Sequence, residues 1–483
     1  MSSPSRTRDL PPALSVVALC IGGLAAALTQ TLVIPIQPEL PDLLDTSASN
    51  AAWVVTITLL TAGVATVVAG RLADMFGKQR VLAVSATILV VGSVVCALSD
   101  SLVPMLVGRG MQGLAMGFIP VGISLIREIT PPDMAATAVA AMSATLGVGA
   151  AIGLPLAAWI VEVGNWHTLF WASAGVAAIV LALVVLVVPH VHDAHPARLD
   201  LVGTIGLAVG LVAFLVGISK ATTWGWADAR TIGAIVGGLV VLVLWGLYEL
   251  RQSDPLVDLR ASAQLPVLMT NVAAVAIGFG MMAQSIVVPQ LLQLPEATGY
   301  GLGQTILQAG LWMAPAGLMM MVFAPVSSRL ITGIGARITL VIGAIVLGCG
   351  YVVAVFMMDA PWQLLVASIV ASAGVGIGYA AMPTLILDST PPNEAAAAVG
   401  LNTLTRSLGT TLAAAVMGTV LSSNTVAFGD GFAVPSQDAF TACFVIGAAA
   451  ALLGAALAAT IPSRHRRADT TVPEPLEPVA AEG

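Results

Sequence analysis

Fourteen long apolar runs dominate this chain, and they constrain its fold more than any other feature. They cover approximately 13–36, 51–70, 81–98, 102–126, 135–161, 167–188, 201–219, 231–248, 266–290, 304–326, 338–358, 362–387, 395–421 and 439–461. A helix needs about 20 apolar residues to cross a bilayer's hydrocarbon core, so each run predicts a membrane span. Of the 483 residues, 58% are hydrophobic and 9% are charged, whereas an ordinary soluble chain carries about 25% charged residues. A water-soluble globule is excluded. Ala-, Gly- and Leu-rich runs without strict two-residue alternation predict helices rather than the strands of an outer-membrane barrel. Fourteen spans leave about 175 residues for tails and loops, too few for an extramembrane catalytic domain. The first run exceeds the apolar core of a cleaved signal peptide and is followed by more spans, so it is expected to stay as an anchor.

The residues also exclude several chemistries. Cys20, Cys96, Cys349 and Cys443 lie inside apolar runs without paired spacing, which predicts neither disulfides nor a metal site. The only lysines, Lys78 and Lys220, precede Gln79 and Ala221, so no phosphate-loop Gly-Lys-Ser/Thr exists and the chain is not its own ATP-driven pump. His190, His192 and His195 cluster in one connection, where a solvated loop accounts for them without a metal. Neither a cofactor nor a nucleic-acid partner is expected. No paired acids, metal cluster or activated nucleophile falls within the spans, so an enzyme is not expected either.

Net charge, at −7, says less than where the cations sit. With the N-terminus taken as cytoplasmic, fourteen of the eighteen Lys and Arg fall on that side; Lys220 and Arg230 fall opposite, and Arg109 and Arg406 lie within spans. The positive-inside rule then predicts that both termini are cytoplasmic. Abundant Arg, Ala and Gly beside scarce Lys suggests a GC-rich bacterium and hence a plasma membrane.

An internal repeat is visible in three places. Gln30 to Pro35 resembles Gln284 to Pro289 at an offset of 254; Thr130-Pro131-Pro132 matches Thr390-Pro391-Pro392 at 260; Arg71-Leu72 with Gly77 matches Arg329-Leu330 with Gly335 at 258. Similar offsets in the same order predict two six-helix bundles, residues 13–190 and 263–461, with two inserted helices and a linker at 197–262. Residues 1–12 form a short cytoplasmic tail. The tail 462–483 begins with a basic cluster that suits anionic headgroups and becomes Pro- and Glu-rich, a composition that predicts disorder.

The turn after span 2 reads Gly70-Arg71-Leu72-Ala73-Asp74-Met75-Phe76-Gly77-Lys78-Gln79-Arg80, a tight, charge-paired loop. It closely resembles the loop signature of the major facilitator superfamily. That resemblance implies an all-α membrane fold of two six-helix bundles, here with fourteen helices. It also implies that Asp74 bridges to basic residues such as Arg80 and to the start of span 13 near Ala395, latching the cytoplasmic side. Span 4 carries Arg109-Gly110-Met111-Gln112-Gly113, similar to the family's fourth-helix motif. Span 5 carries Gly147, Gly149, Gly153 and Pro155, which resemble the antiporter motif of drug exporters with its proline displaced by one residue and its double glycine replaced by alanines. Plain helix packing is the alternative for that stripe.

Arg109, about 10 Å below the outer end of its helix, must find partners or water; a polar cluster with Gln30 and Gln112 is expected, the alternative being that Arg109 snorkels outward or merely bonds backbone carbonyls. Gln284, Gln308, Trp312, Met313, Asn402 and Arg406 complete the predicted cavity set, with helix packing the alternative for the uncharged ones. Fourteen-span drug:proton antiporters usually carry an Asp where this chain has Gln30, and no acid falls at the centre of a predicted span. Asp74, Glu162 or a substrate carboxylate remain as proton carriers. With Arg109 and Arg406 the interior is formally cationic, which predicts neutral, zwitterionic or anionic amphiphiles as cargo. The resulting expectation is a monomeric exporter working by alternating access and driven by proton antiport. A proton-independent facilitator or lipid-like molecule transporter, and a nontransporting sensor, stand as alternatives.

Overall fold

The computed structural model describes residues 11–34, 36–37, 39–191, 200–428 and 432–462. The two tail expectations, His192 and His195 fall outside those residues, except for the tail residues next to the first and last helices. Helices occupy all fourteen expected places. The first six are α1 (Pro12–Thr31), α2 (Trp53–Phe76), α3 (Lys78–Ala97), α4 (Leu102–Ile129), α5 (Pro132–Val163) and α6 (His167–Leu186). The inserted pair is α7 (Leu201–Trp224) and α8 (Ala229–Glu249). The second six are α9 (Leu265–Gln293), α10 (Ile306–Ile334), α11 (Ala336–Phe356), α12 (Pro361–Ser389), α13 (Pro392–Ser423) and α14 (Gln437–Ala459). All but α5 qualify as membrane spans by length and composition among the described residues, and α5, at 32 residues, is longer than any span needs.

Two differences from the expected all-α chain are small and local. Helix α1 ends at Thr31 instead of running to 36, whereas its repeat partner α9 carries Pro289 inside the helix and continues to Gln293. A two-stranded antiparallel hairpin, β1 (Thr425–Phe428) with β2 (Phe432–Pro435), lies before α14, pairing Thr425 with Pro435 and Val426 with Val434.

The repeat is also structural. The fourth helix of each half breaks once near its middle, α4 at a 3-10 turn over Ala115–Gly117 and α12 at Tyr379–Ala380. The turns α2–α3 and α10–α11 both hinge on a glycine with positive φ, Gly77 at 97° and Gly335 at 88°, a conformation that a Cβ would strain.

Each half has its own apolar core. In the first, Leu82, Leu125 and Ile126 pack with Phe118; in the second, Tyr351, Phe440 and Phe444 pack with Leu340 and Leu347. The halves meet along two seams, α2 against α13 and α5 against α10. The inserted α7 covers the first seam: Leu207, Leu211 and Leu215 pack with Leu60 and Val67 of α2 and Leu404 of α13. Trp226 in the α7–α8 turn donates to Thr419 Oγ1 at 2.7 Å, and Lys220 sits 4.9 Å from the Trp53 ring. By contrast, α8 is mostly exposed, as expected of a helix that meets lipid on most of its circumference.

Candidate functional site

Arg71, Lys78, Arg80, Arg127, Arg251, Arg260, Arg329 and Arg337 lie at helix ends that the up-and-down chain path brings to one side. At this basic end the two halves are fastened together. Asp74, at the last turn of α2, is 4% exposed. Its Oδ1 accepts from the backbone N–H of Ala396 at 3.3 Å and its Oδ2 from that of Ala397 at 3.0 Å, both in the first turn of α13. Unpaired N–H groups at a helix start and the positive end of its dipole make this a natural carboxylate seat. Gly70, one turn earlier, allows the approach, because a Cβ there would collide with the Ala396 carbonyl.

The implied bridge from Asp74 to Arg80 is not formed. Arg80 is exposed, and no ion pair to it occurs among the described residues. The turn at Gly77 starts α3 so that Lys78, not Arg80, is buried beside the latch, where it pairs with Glu128 of α4. Gln79 Nε2 donates to the carbonyl of Val188 at 3.1 Å, and its Oε1 lies 2.8 Å from His190 Nδ1. Two further bonds cross the halves at this end: Arg127 Nη2 to Asp388 Oδ1 at 2.5 Å, and Thr137 Oγ1 with Ser328 Oγ at 2.7 Å. Among the described residues, every side-chain hydrogen bond between the two bundles lies at the basic end.

Of the expected trio, the structure brings two residues together. Arg109 is 1% exposed; it donates to the carbonyls of Thr29 (3.0 Å) and Val54 (3.2 Å) and to Gln112 Oε1 (2.7 Å). Gln112 Nε2 passes the chain on to Ser93 Oγ at 2.9 Å, which meets Ser173 Oγ at 3.0 Å. The network ties α1, α2, α3, α4 and α6 together inside the first half, and the guanidinium is enclosed by it. Gln30 takes no part: it is half-buried with no hydrogen bond among the described residues, and the carbonyl of its neighbour Thr29 is what Arg109 uses.

The remaining candidates are dispersed. Gln284 donates to the Ser368 carbonyl at 3.4 Å. Asn402 donates to Asn271 Oδ1 at 2.9 Å, and one turn on, the Arg406 guanidinium lies 4.3 Å from the Tyr379 ring centroid. Arg406 is 7% exposed and forms no salt bridge among the described residues. Gln308 is exposed and engaged in a capping box with Thr305 at the start of α10. Trp312 donates to Gln304 Oε1 at 3.1 Å, and Met313 packs on the second core. On α5, Gly147 abuts Met320 of α10, while Gly149 and Gly153 abut Ala27 and Thr31 of α1; Pro155 lies inside the helix. Glu162 is exposed near the end of α5 opposite the basic side.

One acid was not counted from sequence. Glu249 ends α8, just past the predicted run, yet is 2% exposed. Its only sequence signal is that it interrupts the end of an apolar run.

A six-plus-six helix repeat closed at one end by an acid on α2 and the start of α13 defines a membrane transporter of the two-bundle class. The sequence profile of the Major Facilitator Superfamily matches residues 19–414 and 270–481, so the chain belongs to that family, one of transporters and not of enzymes. It is 27% identical over 426 residues to the tetracenomycin C resistance and export protein of Streptomyces glaucescens, covering 85% of this chain and 76% of that one. To the multidrug resistance protein Stp of Mycobacterium tuberculosis (strain ATCC 25618 / H37Rv) it is 24% identical over 413 residues, with the same coverages. Against the MFS-type transporter YhcA of Bacillus subtilis it is 26% identical, spanning 68% of this chain and only 61% of that protein. The human organic anion transporter MFSD10 (TETRAN) shares the fold with TM-score 0.64 at 15% identity, over 93% of this chain and 100% of that one.

Proposed function

We propose that the protein is a secondary exporter of amphipathic small molecules, with the basic end facing the cytoplasm of a bacterial plasma membrane and both termini on that side. The observation that carries this reading is the Asp74 latch. Two hydrogen bonds that this carboxylate accepts from the N-terminus of α13, in the opposite bundle, shut the cytoplasmic end in a way that can be undone and remade. The described conformation is therefore the one closed to the cytoplasm, and transport alternates it with one in which the latch, the Arg127–Asp388 pair and the Thr137–Ser328 bond are parted. Relatives named for tetracenomycin C export and for multidrug resistance support export of drugs or of the producer's own metabolites.

Arg406, buried over Tyr379 without a carboxylate partner among the described residues, favours neutral or anionic cargo over lipophilic cations. Arg109 contributes to the walls from behind, by fixing α1 against α2 and α4. The test is a resistance and accumulation profile of cells with and without the gene, comparing an ethidium-like cation with anionic and neutral drugs. Strong preference for the cation defeats the charge argument; no change for any compound defeats export.

Proton antiport is the drive we assign. A second reading, facilitation without protons, is favoured by Gln30, which occupies a titratable position without being able to titrate. Transport that persists unchanged with a protonophore selects the second. Gln30→Asp, placed on a half-buried side chain with no competing bond, is expected to make export steeply pH-dependent under either reading.

A further inference from the structure

The inserted helices have so far served only as a cover for one seam, yet they hold two acids in an arrangement that cover alone does not need. Asp200 is the N-cap of α7: its Oδ1 accepts from Gly203 N at 2.8 Å and from Tyr248 Oη at 3.1 Å. Glu249, at the end of the adjacent α8, accepts the Leu256 N–H on Oε2 at 3.0 Å. The other two oxygens, Asp200 Oδ2 and Glu249 Oε1, are buried from solvent and have no hydrogen-bond partner among the described residues. Both close on the same spot: a Cβ on Gly203 would lie 2.5 Å from Asp200 Oδ2 and 2.6 Å from Glu249 Oε1. The two oxygens are thus within about 5 Å of each other, a range where two carboxylates cannot both ionise cheaply.

No salt bridge neutralises the pair among the described residues. The titratable groups that face it are Tyr248 on α8 and, across the seam, Arg71 on α2, which acts on Glu249 only through its field. The indole of Trp245, one turn before Glu249, also faces the Glu249 carboxyl and favours its anion, a pull that burial and the neighbouring Asp200 outweigh. A proton on either acid removes the repulsion between them.

We propose that Asp200 and Glu249 form a binding site for one proton at the cytoplasmic end of the inserted helices. The two acids are not equivalent. Asp200 sits at a helix N-terminus with two donors on Oδ1, which stabilises its anion. The proton therefore resides on Glu249, where it removes the repulsion with the Asp200 carboxylate. Its loss leaves two adjacent anions whose repulsion pushes Glu249 away from Asp200, while the Leu256 N–H holds the Glu249 anion more tightly than the neutral acid, so Glu249 and the segment it clasps shift together. That clasp holds the segment 253–258, which lines an open cleft of about 260 Å³ together with Arg71, Asp74 and Glu394 of the latch region. Proton occupancy on the inserted pair is thereby coupled to the gate, a route to proton dependence that does not need an acid at Gln30. The site goes beyond the exporter reading and relies on it only for which end is cytoplasmic.

Infrared difference spectroscopy of the full-length protein in lipid nanodiscs, without substrate and titrated from about pH 5 to about pH 9 in H2O and D2O, reads the site directly. The expected result is a protonated-carboxyl band that shifts in D2O, fades as pH rises and is missing from Glu249→Gln. In Asp200→Asn, which keeps the cap but removes the neighbouring anion, the band should titrate at least about one pH unit lower. Because both replacements are nearly isosteric, size-exclusion elution and the thermal midpoint check that each variant is folded. Difference spectra that Glu249→Gln leaves unchanged, or a midpoint unmoved by Asp200→Asn, overturn the proposal. Should the bands behave as expected while cells show no export, the transporter reading fails and the proton site stands.

Discussion

Arg109 shows what a single cation inside a membrane helix must do. It has no carboxylate partner among the described residues; instead it spends its donors on two backbone carbonyls and Gln112. Hydrogen bonds from a charged donor contribute about 1.5–3 kcal/mol each, and leaving their acceptors bare adds a penalty. Arg109→Gln is too short to replace them, so it should destabilise the first half by about 2–4 kcal/mol, seen as a lower thermal midpoint in detergent and reduced abundance in membranes. A variant with the wild-type midpoint would show that the network is not what holds α1, α2 and α4 together. That an arginine here must be satisfied was legible in the sequence, since an ion at that depth is costly. Which groups satisfy it was not, because carbonyls leave no trace in residue identity.

At the scale of the helix, the signature after α2 was readable as a glycine-hinged turn, while the roles of its other residues came from the structure. Gly77 is needed for its positive φ, Gly70 for the close approach to α13, and Asp74 for the free N–H groups there. Gly70→Val would drive a branched side chain against the Ala396 carbonyl and hold α2 off α13. The predicted effect is a lasting opening of the cytoplasmic end, read as increased labelling of a cysteine introduced in the cleft, with export reduced at least about tenfold. Asp74→Asn keeps the shape but loses the charge–dipole term and one of the two acceptors, because an amide offers a single oxygen to the Ala396 and Ala397 N–H groups, together about 1–3 kcal/mol; labelling should rise by about fivefold or more, and unchanged labelling would contradict the latch. The glycine stripe of α5 divides its contacts, Gly147 against α10 and Gly149 with Gly153 against α1, so the same small residues serve one seam between halves and one inside a half.

For the molecule as a whole, the halves are bonded at one end and must separate there for cargo to enter from the cytoplasm. Thr137 and Ser328 touch across the α5–α10 seam with their hydroxyl oxygens 2.7 Å apart. Cysteines at both positions should form a disulfide under oxidation, abolish export and release it on reduction; full activity in the oxidised protein would sink alternating access by this seam. Helices α7 and α8 lie outside that rocking pair, with α7 against α2 and α13. Trp226→Ala removes the bond to Thr419 and should loosen the insert without unfolding either half, seen as faster proteolysis of the α7–α8 turn at an unchanged main thermal transition.

Helix number and the repeat were determined by the sequence alone, because each depends on local physics: hydropathy over a span's length and glycine where backbone must turn. The latch was implied only by the resemblance of the loop signature, which put Asp74 at the start of α13 and also implied the bridge to Arg80 that is not formed. The tertiary structure decided which polar residues are enclosed and which stay open. It closed a network around Arg109 without Gln30, set Gln308 as a cap, and buried Glu249 although it lies at the edge of its apolar run. Those outcomes depend on how each helix is rotated about its axis, and helices that are apolar nearly all round carry almost no periodic signal to report that rotation. Only packing against particular neighbours sets it.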